Sequence, residues 1–436
     1  MQRVVKFITL GCKVNQYETN AMAQKFLEKG YKVIEEYEQN GEKPNICIIN
    51  TCTVTNMSDR KSRQMLRREK ENNKNVIVVA VGCYAQVAKN ELNKIPEIDL
   101  VLGNNEKVDI VKYVEDYINE NENNIEIEDV MQSRLFSDFG DITFTEKTRA
   151  VVKIQDGCDR FCSYCIIPYA RGRVRSRKPE SIISEITKIA EKDIKEVVIT
   201  GIHIASYGKD FKEEYKLIDL LEEINKIDGI ERIRLGSIEP LLITDEFVER
   251  LKKLDKICHH FHLSLQSGCD ETLKRMNRRY TTEQFREIVK RLRNAYNDVN
   301  LTTDIIVGFP GETEEEFEKT YHFLDEIKFY KMHVFKYSQR KGTKAAVMQN
   351  QIPGDIKELR SRRLIELSNK NEFEINQKYI GKKVEVLFEE EKEGVFKGHT
   401  ANYILVYCND EKENLSNKIQ EVECIQNLND HILAKC

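Results

Sequence analysis

The chain has 436 residues, a formal net charge of −4 and twelve cysteines. That length suits two or three domains with sizeable cores. So small a charge excludes a polycation that grips nucleic acid along its whole surface and leaves room only for local basic patches. Twelve cysteines would suit a disulfide framework in a small secreted protein. Here the chain opens MQRVVKFITLGC, without an apolar leader, and no apolar run reaches bilayer length. A cytoplasmic protein is therefore expected, with no membrane partner and with reduced thiols free to bind metal.

In chain order, Val4–Leu10 is an apolar, β-branched run broken by Gly11-Cys12, and Gln16–Glu28 has a helical pattern that stops at Gly30. Ile46–Ile49 runs into Asn50-Thr51-Cys52, Val76–Val81 into Gly82-Cys83, and Asp99–Leu102 precedes a helical stretch from Lys107 to Ile118. Short apolar runs separated by helical patterns predict a doubly wound parallel sheet. Cys12, Cys52 and Cys83 each fall just past the C-terminal end of a predicted strand, the edge where open α/β sheets build ligand sites. Three cysteines in that role predict a second three-thiolate cluster site.

Residues 120–148 are polar and acidic and read as a linker. Beyond them, Val151–Gln155, Glu196–Thr200, Arg232–Leu235, Phe261–Leu265, Leu301–Val307 and Met332–Tyr337 alternate with helical patterns. Six such units fall short of the eight of a closed barrel and predict an open, partial (β/α)6 barrel. After a basic helix from Leu359 to Lys378, short alternating strands at Val384–Phe388, Gly394–His399 and Tyr403–Tyr407 predict a small β-barrel. The expected domains are 1–140, 144–375 and 376–436.

The most informative stretch is Asp156-Gly157-Cys158-Asp159-Arg160-Phe161-Cys162-Ser163-Tyr164-Cys165. Its C-x-x-x-C-x-x-C spacing can hold three corners of a [4Fe–4S] cluster and leave the fourth iron open. An open iron can bind the amino and carboxylate groups of S-adenosylmethionine (SAM), whose one-electron cleavage yields a 5′-deoxyadenosyl radical. The bland alternatives are a zinc site or unrelated core thiols. Zinc commonly takes four ligands as two C-x-x-C pairs, and no second pair lies nearby. A closed electron-carrier cluster would need a fourth cysteine, and neither triad has one at hand.

Around this loop, Tyr164 is a candidate to pack beside the SAM adenine, with core filler as the alternative. The Thr200-Gly201-Ile202-His203 turn follows the second strand of the array. Gly201 there allows close approach of a ligand, and His203 reads as a hydrogen-bonded loop histidine rather than a proton carrier. Ser237, Glu239, Ser264, Gln266 and Asp304 sit at later strand ends, where polar groups can orient SAM. Arg171, Arg173, Arg175, Arg177 and Lys178 form a basic run beside the catalytic loop, with Lys274, Arg275, Arg278, Arg279 and Arg360, Arg362, Arg363 as further runs. Such runs are usually solvated faces. Beside a catalytic loop in an acidic chain, Arg171, Arg173, Arg175, Arg278 and Arg279 become candidate RNA contacts.

Taken together, the blocks LGCKVNQYET, NTCTVT, VGCYAQ, DGCDRFCSYCIIPYARGRVRSR, TGIHIASYG, FHLSLQSGCDETLKRMNRRYT, TDIIVGFPGET and FKYSQRKGTKAA resemble the methylthiotransferases of the radical-SAM superfamily over nearly the whole chain. The tail from Gly381, including KGHTANYILVY, is similar to the TRAM domain that helps these enzymes hold RNA. The resemblance implies two [4Fe–4S] clusters, one on Cys158, Cys162 and Cys165 and an auxiliary one on Cys12, Cys52 and Cys83 that carries the sulfur. It implies two uses of SAM, one as methyl donor to that sulfur and one as radical source to activate an aromatic carbon. It also implies a small reducing protein as electron donor. The wording around the motifs is closest to the branch that modifies threonylcarbamoyladenosine at position 37, in the anticodon loop of tRNA. The alternatives are the isopentenyladenosine branch and one acting on a ribosomal-protein aspartate. Cys47, Cys258, Cys269, Cys408, Cys424 and Cys436 match no ligand position and are expected to be core or surface thiols. The acidic run Glu389-Glu390-Glu391 argues that only one face of the last domain meets RNA.

Overall fold

A computed structural model describes residues 2–34, 43–120, 127–144, 148–409 and 414–435. Strands Val4–Thr9 (β1), Lys32–Ile34 (β2), Ile46–Thr51 (β3), Ile77–Gly82 (β4) and Leu100–Val101 (β5) form a five-stranded sheet in the order β2-β1-β3-β4-β5. All of its pairings are parallel. Helix α1 (Lys13–Glu28) places Val14, Tyr17, Ala21, Met22 and Phe26 on one stripe, and this stripe is buried. Sequence periodicity thus found the sheet but missed β2 and helix α2 (Asn56–Asn72). The latter has only Ser62, Leu66 and Glu69 buried, so it lacks a wide apolar stripe to betray it.

Six parallel strands follow, as expected. They are Arg149–Asp156 (β6, with the two-residue antiparallel Arg175–Ser176, β7, on its edge), Glu196–Gly201 (β8), Arg232–Leu235 (β9, continued after Gly236 by Ser237–Ile238, β10), His260–Leu263 (β11), Asn300–Val307 (β12) and Lys331–Lys336 (β13). The break at Gly236 lets β9 pair back to β8 while β10 pairs forward to β11. No pairing joins β6 to β13 among the described residues, so the barrel is open on that side. Along β11, Phe261 and Leu263 enter the core shared with the surrounding helices. His260 and His262 alternate onto the inner face, where both reach Thr302 Oγ1, at 2.9 and 3.0 Å. A parallel barrel usually fills its interior with branched apolar chains; this one has a polar inner face.

Strands Lys383–Lys392 (β14), Val395–Thr400 (β15), Leu405–Asn409 (β16), Ile419–Asn427 (β17) and Ile432–Lys435 (β18) close a small barrel in the order β14-β15-β16-β18-β17. It docks under the N-terminal end of the central array. Arg234 donates to the carbonyls of Ala401 and Thr400 at 3.0 and 3.2 Å, and Arg149 pairs with Glu389 at 2.8 Å. The Tyr403 ring stacks on His260 at 4.4 Å and on His399 at 4.7 Å. Part of the acidity of this domain therefore answers arginines of the central array instead of facing solvent.

Two readings change. The acidic stretch 120–148 is not a solvated tether where it is described: Val130, Phe139 and Ile142 are buried, and Gln24 accepts from the amides of Thr143 and Phe144. Cys408 is disulfide-bonded, not free, whereas Cys47, Cys258, Cys269 and Cys424 are buried free thiols; Cys436 lies outside the described residues. No helix of the described residues is long and apolar enough to cross a membrane.

Candidate active site

β1, β3 and β4 are neighbours in the first sheet, and Cys12, Cys52 and Cys83 lie just past their C-terminal ends. Gly11 makes the approach possible. Its φ is +103°, and a Cβ there would lie 2.9 Å from both Cβ and Sγ of Cys52, so a larger residue would push this thiol away. Burial raises the Cys12 thiol and lifts that of Cys52 to about 11, and in each case the neighbouring thiols of the triad add to the rise. The three sulfurs are therefore within electrostatic reach of one another.

The second triad is local. Gly157 (φ +71°) has the carbonyl of Arg173 where a Cβ would be, 1.8 Å away, and Cys158 N donates to Gly172 O at 3.0 Å. Ser163 ties the loop to the far side of the barrel: its amide donates to Met276 O at 3.0 Å, and its carbonyl accepts from Ala345 N at 2.7 Å. Burial lifts Cys158 to about 11 and Cys165 to about 12, with Cys162 adding to both. Among the described residues no three His, Cys, Asp or Glu side chains close around a single metal ion. Gathered thiols, with proton affinity raised at Cys12, Cys52, Cys158 and Cys165, are a donor set that metal binding deprotonates and neutralises, so both triads fit an iron–sulfur cluster.

Each triad has one buried arginine. Arg278 directs NH1 at Cys162 Sγ (3.5 Å) and NH2 at Glu239 (2.8 Å) and Ser264 O (2.9 Å). Arg171 donates Nε to Cys83 Sγ at 3.2 Å and NH2 to Asn15 Oδ1 at 2.7 Å, while NH1 is bonded to Glu18. Glu18 also pairs with Lys107 at 2.5 Å and Lys153 at 2.7 Å, and Asp156 with Lys153 at 2.6 Å. All five charged groups are buried. They join α1, the sheet and the first barrel strand directly behind the Cys83 thiol.

This overturns most of the basic-run reading. Arg171, Arg175 and Arg177 are fully buried, Arg175 donating to Arg171 O and Arg177 pairing with Glu185. Phosphate cannot reach them, because carboxylates inside the fold already compensate the charge. Arg278 is likewise committed to Glu239. Arg173 and Arg279 remain exposed. The cations that linear reading missed are on α2, where Arg60, Lys61, Arg67 and Arg68 are exposed. They fall beside Cys52 in the chain, and the helical pattern that would have flagged them is weak.

The other candidates lie on the Cys158/Cys162/Cys165 loop and along or just past the strands of the central array. Tyr164 packs edge-on to Phe309, with ring centroids 6.5 Å apart. Gly201 is hemmed by Gln155 O, 2.9 Å from a Cβ position, so its smallness first serves sheet packing. His203 bonds Ser206 Oγ at 2.8 Å and lies 3.7 Å from Glu239, a loop histidine as expected. Ser264 contributes its carbonyl to Arg278 and Tyr280. Gln266 has φ +71° and bonds the Asp304 carbonyl; Asp304 Oδ2 lies 3.3 Å from His262 Nε2; Ser237 is exposed.

With this geometry in place, comparison with known proteins is informative. The Radical SAM superfamily model matches residues 152–324, and the uncharacterized protein family UPF0004 matches residues 4–103. Threonylcarbamoyladenosine tRNA methylthiotransferase MtaB of Bacillus subtilis (strain 168) is 43% identical over 408 residues, covering 92% of this chain and 89% of that protein. The Aquifex aeolicus protein of the same name is 41% identical, covering 92% and 95%. A tRNA-2-methylthio-N(6)-dimethylallyladenosine synthase from Thermoanaerobacter sp. (strain X514) is 38% identical over 87% of this chain and 81% of its own. Among solved structures, the radical S-adenosylmethionine methyltransferase TsrM from Kitasatospora setae superposes with a TM-score of 0.58 at 17% identity, over 80% of this chain and 77% of that one, a likeness of fold. Two thiol triads, an open six-stranded barrel and relatives of this closeness together make the chain a member of the radical-SAM methylthiotransferase family.

Proposed function

We propose that the enzyme inserts a methylthio group at carbon 2 of N6-threonylcarbamoyladenosine at position 37, in the anticodon loop of tRNA, in the cytoplasm. The observation that carries this reading is Arg171. It belongs to the segment following the Cys158/Cys162/Cys165 loop yet donates to Cys83 of the other triad, so both thiol sets address one space. The relatives named for this nucleoside match at 43% and 41% identity, ahead of the dimethylallyl relative at 38%.

In this reading Cys158, Cys162 and Cys165 hold one [4Fe–4S] cluster and Cys12, Cys52 and Cys83 a second. When bound, the first cluster with SAM and a reducing donor protein supplies an adenosyl radical, and the second supplies the sulfur. The protein contributes order and exclusion. Glu239 fixes the Arg278 guanidinium against Cys162, and Ser237, Ser264, Gln266 and Asp304 present polar groups at strand ends to orient SAM. Gly201 keeps the second strand end narrow, and Tyr164 flanks the pocket. Tyr403, His260 and Arg234 cover the N-terminal end of the barrel, which limits the water that a reactive species can meet there. Arg173, Arg279 and the α2 cations give the phosphate backbone a rim to lie on, and a loop base is already unpaired.

Mass spectrometry of tRNA nucleosides from a strain lacking the gene, with and without its restoration, tests this. Loss and recovery of the methylthio form of threonylcarbamoyladenosine is expected. Loss of the isopentenyl counterpart instead would transfer the assignment to that branch. An unchanged tRNA profile would remove RNA as the substrate.

A further inference from the structure

The segment that follows β13, from Tyr337 to Ala345, bonds to the chain neighbours of both cysteine triads. At its end, Ala345 N donates to Ser163 O at 2.7 Å, in the turn between Cys162 and Cys165. Earlier in the same segment, Arg340 reaches the turn after β3. Its NH2 donates to Thr53 Oγ1 at 2.7 Å and to Asp59 Oδ2 at 2.6 Å, and its NH1 to Asn56 Oδ1 at 2.5 Å. Thr53 is the residue after Cys52, and 281 to 287 positions of chain separate Arg340 from these partners.

Arg340 is 6% exposed and Thr53 is fully buried, so water competes little for these bonds. Thr53 Oγ1 donates in turn to Asp59 Oδ1 at 2.8 Å, which closes a ring of bonds around the guanidinium. The Arg340 carbonyl accepts from the Thr343 amide at 3.1 Å and from its hydroxyl at 2.7 Å, fixing the backbone that carries the side chain. Beside it, the Asn56 amide donates to Ser338 Oγ at 3.0 Å. Ser62 Oγ donates to Cys52 O at 3.3 Å, tying α2 back to the cysteine itself. Among the described residues, the hydrogen bonds and ion pairs that join Thr53–Asp59 to the central array all run through Ser338 or Arg340.

Resting on the function proposed above, we infer that Arg340 is a positioning residue that sets the Cys52 side of the assembled triad against the Cys158/Cys162/Cys165 loop. In that function one substrate carbon must lie within reach of both thiol sets, and a misplacement of about 1 Å can cost about a hundredfold in rate. Arg171 already holds the Cys83 side of the sheet edge to the central array. Arg340 supplies the hold at Cys52, so the edge is fixed at both places. A guanidinium fork keeps Thr53, Asn56 and Asp59 in one geometry, which a point charge cannot do. An ion pair that only stabilised the chain would, when removed, lower SAM cleavage and methylthio transfer together.

The test compares Arg340→Met and Arg340→Lys with wild type as cluster-loaded enzymes, given SAM, a reductant and a stem-loop carrying threonylcarbamoyladenosine. The readouts are iron content, hydrogen exchange at residues 53–59, and methylthio product per 5′-deoxyadenosine released. Arg340→Met should keep its iron and exchange faster at 53–59. Its product per 5′-deoxyadenosine should fall about tenfold to a hundredfold. Arg340→Lys, which keeps a cation for Asp59, should recover part of that loss. An unchanged ratio in Arg340→Met would overturn the inference and leave the proposed function standing. If Arg340→Met loses iron, Asn56→Ala removes one acceptor of the fork at an exposed position. A lowered ratio in that variant at full iron supports the inference, and a wild-type ratio overturns it. If wild type itself forms no methylthio product on this loop, the proposed substrate fails, and the inference with it.

Discussion

In the proposed function the two cysteine triads do the same job by opposite constructions. Cys158, Cys162 and Cys165 lie within eight residues of one loop, braced by Gly157 and by hydrogen bonds to residues 276 and 345. Cys12, Cys52 and Cys83 come from three adjacent strand ends and meet because the sheet brings them together. A local site survives changes elsewhere in the fold; an assembled one depends on everything that keeps the strand ends and their neighbours in place. This explains why the elaborate buried charge network around Glu18 and Arg171 stands behind Cys83, while Cys162 makes do with the single Arg278–Glu239 pair.

The largest expected effect separates the triads outright. Cys162→Ala and Cys52→Ala should each lower bound iron from about eight to about four per chain, as expected for losing one of two four-iron clusters, measured by iron analysis after anaerobic reconstitution. Equal iron in both variants and wild type would break the comparison. Next, Arg171→Met leaves Glu18 and Asp156 short of positive charge inside the fold, and breaking such a buried pair costs about 3–5 kcal/mol. Chemical denaturation should show this loss, accompanied by weaker iron retention at Cys12/Cys52/Cys83 than at the other triad. Equal retention at both would deny the network its role at the assembled site.

A smaller effect probes the same interface by pH. Burial raises the Glu185 carboxyl from 4.5 to about 7, against the pull of Arg177. Between those values the folded state holds more protons than the unfolded one. The group's contribution is therefore fully present below 4.5 and is lost as pH rises through 7. Glu185→Gln should gain on wild type by about 1–3 kcal/mol between pH 5 and pH 8; parallel stability curves would refute this. Smallest is Tyr403→Leu, which removes stacking on His260 and His399 worth about 1 kcal/mol. It should speed hydrogen exchange at the barrel floor without changing iron content, whereas iron loss would mean that the floor supports the clusters.

The same contrast governs what was legible in the sequence. The loop triad is readable from spacing alone, because its geometry is local. The assembled triad is readable only through the periodicity that marks three strand ends, and that pattern also disclosed the sheet, the six barrel strands and the terminal barrel. The basic run after Cys165 misled, since a one-dimensional pattern cannot show that Arg171 finds Glu18, 153 positions away, inside the fold.

The most direct test of this division of labour uses purified, cluster-loaded enzyme with SAM, a reductant and a stem-loop carrying threonylcarbamoyladenosine. Both 5′-deoxyadenosine and methylthio product are quantified for wild type and Cys52→Ala. The account predicts that Cys52→Ala still releases 5′-deoxyadenosine but forms no methylthio product. Methylthio product from that variant would contradict it.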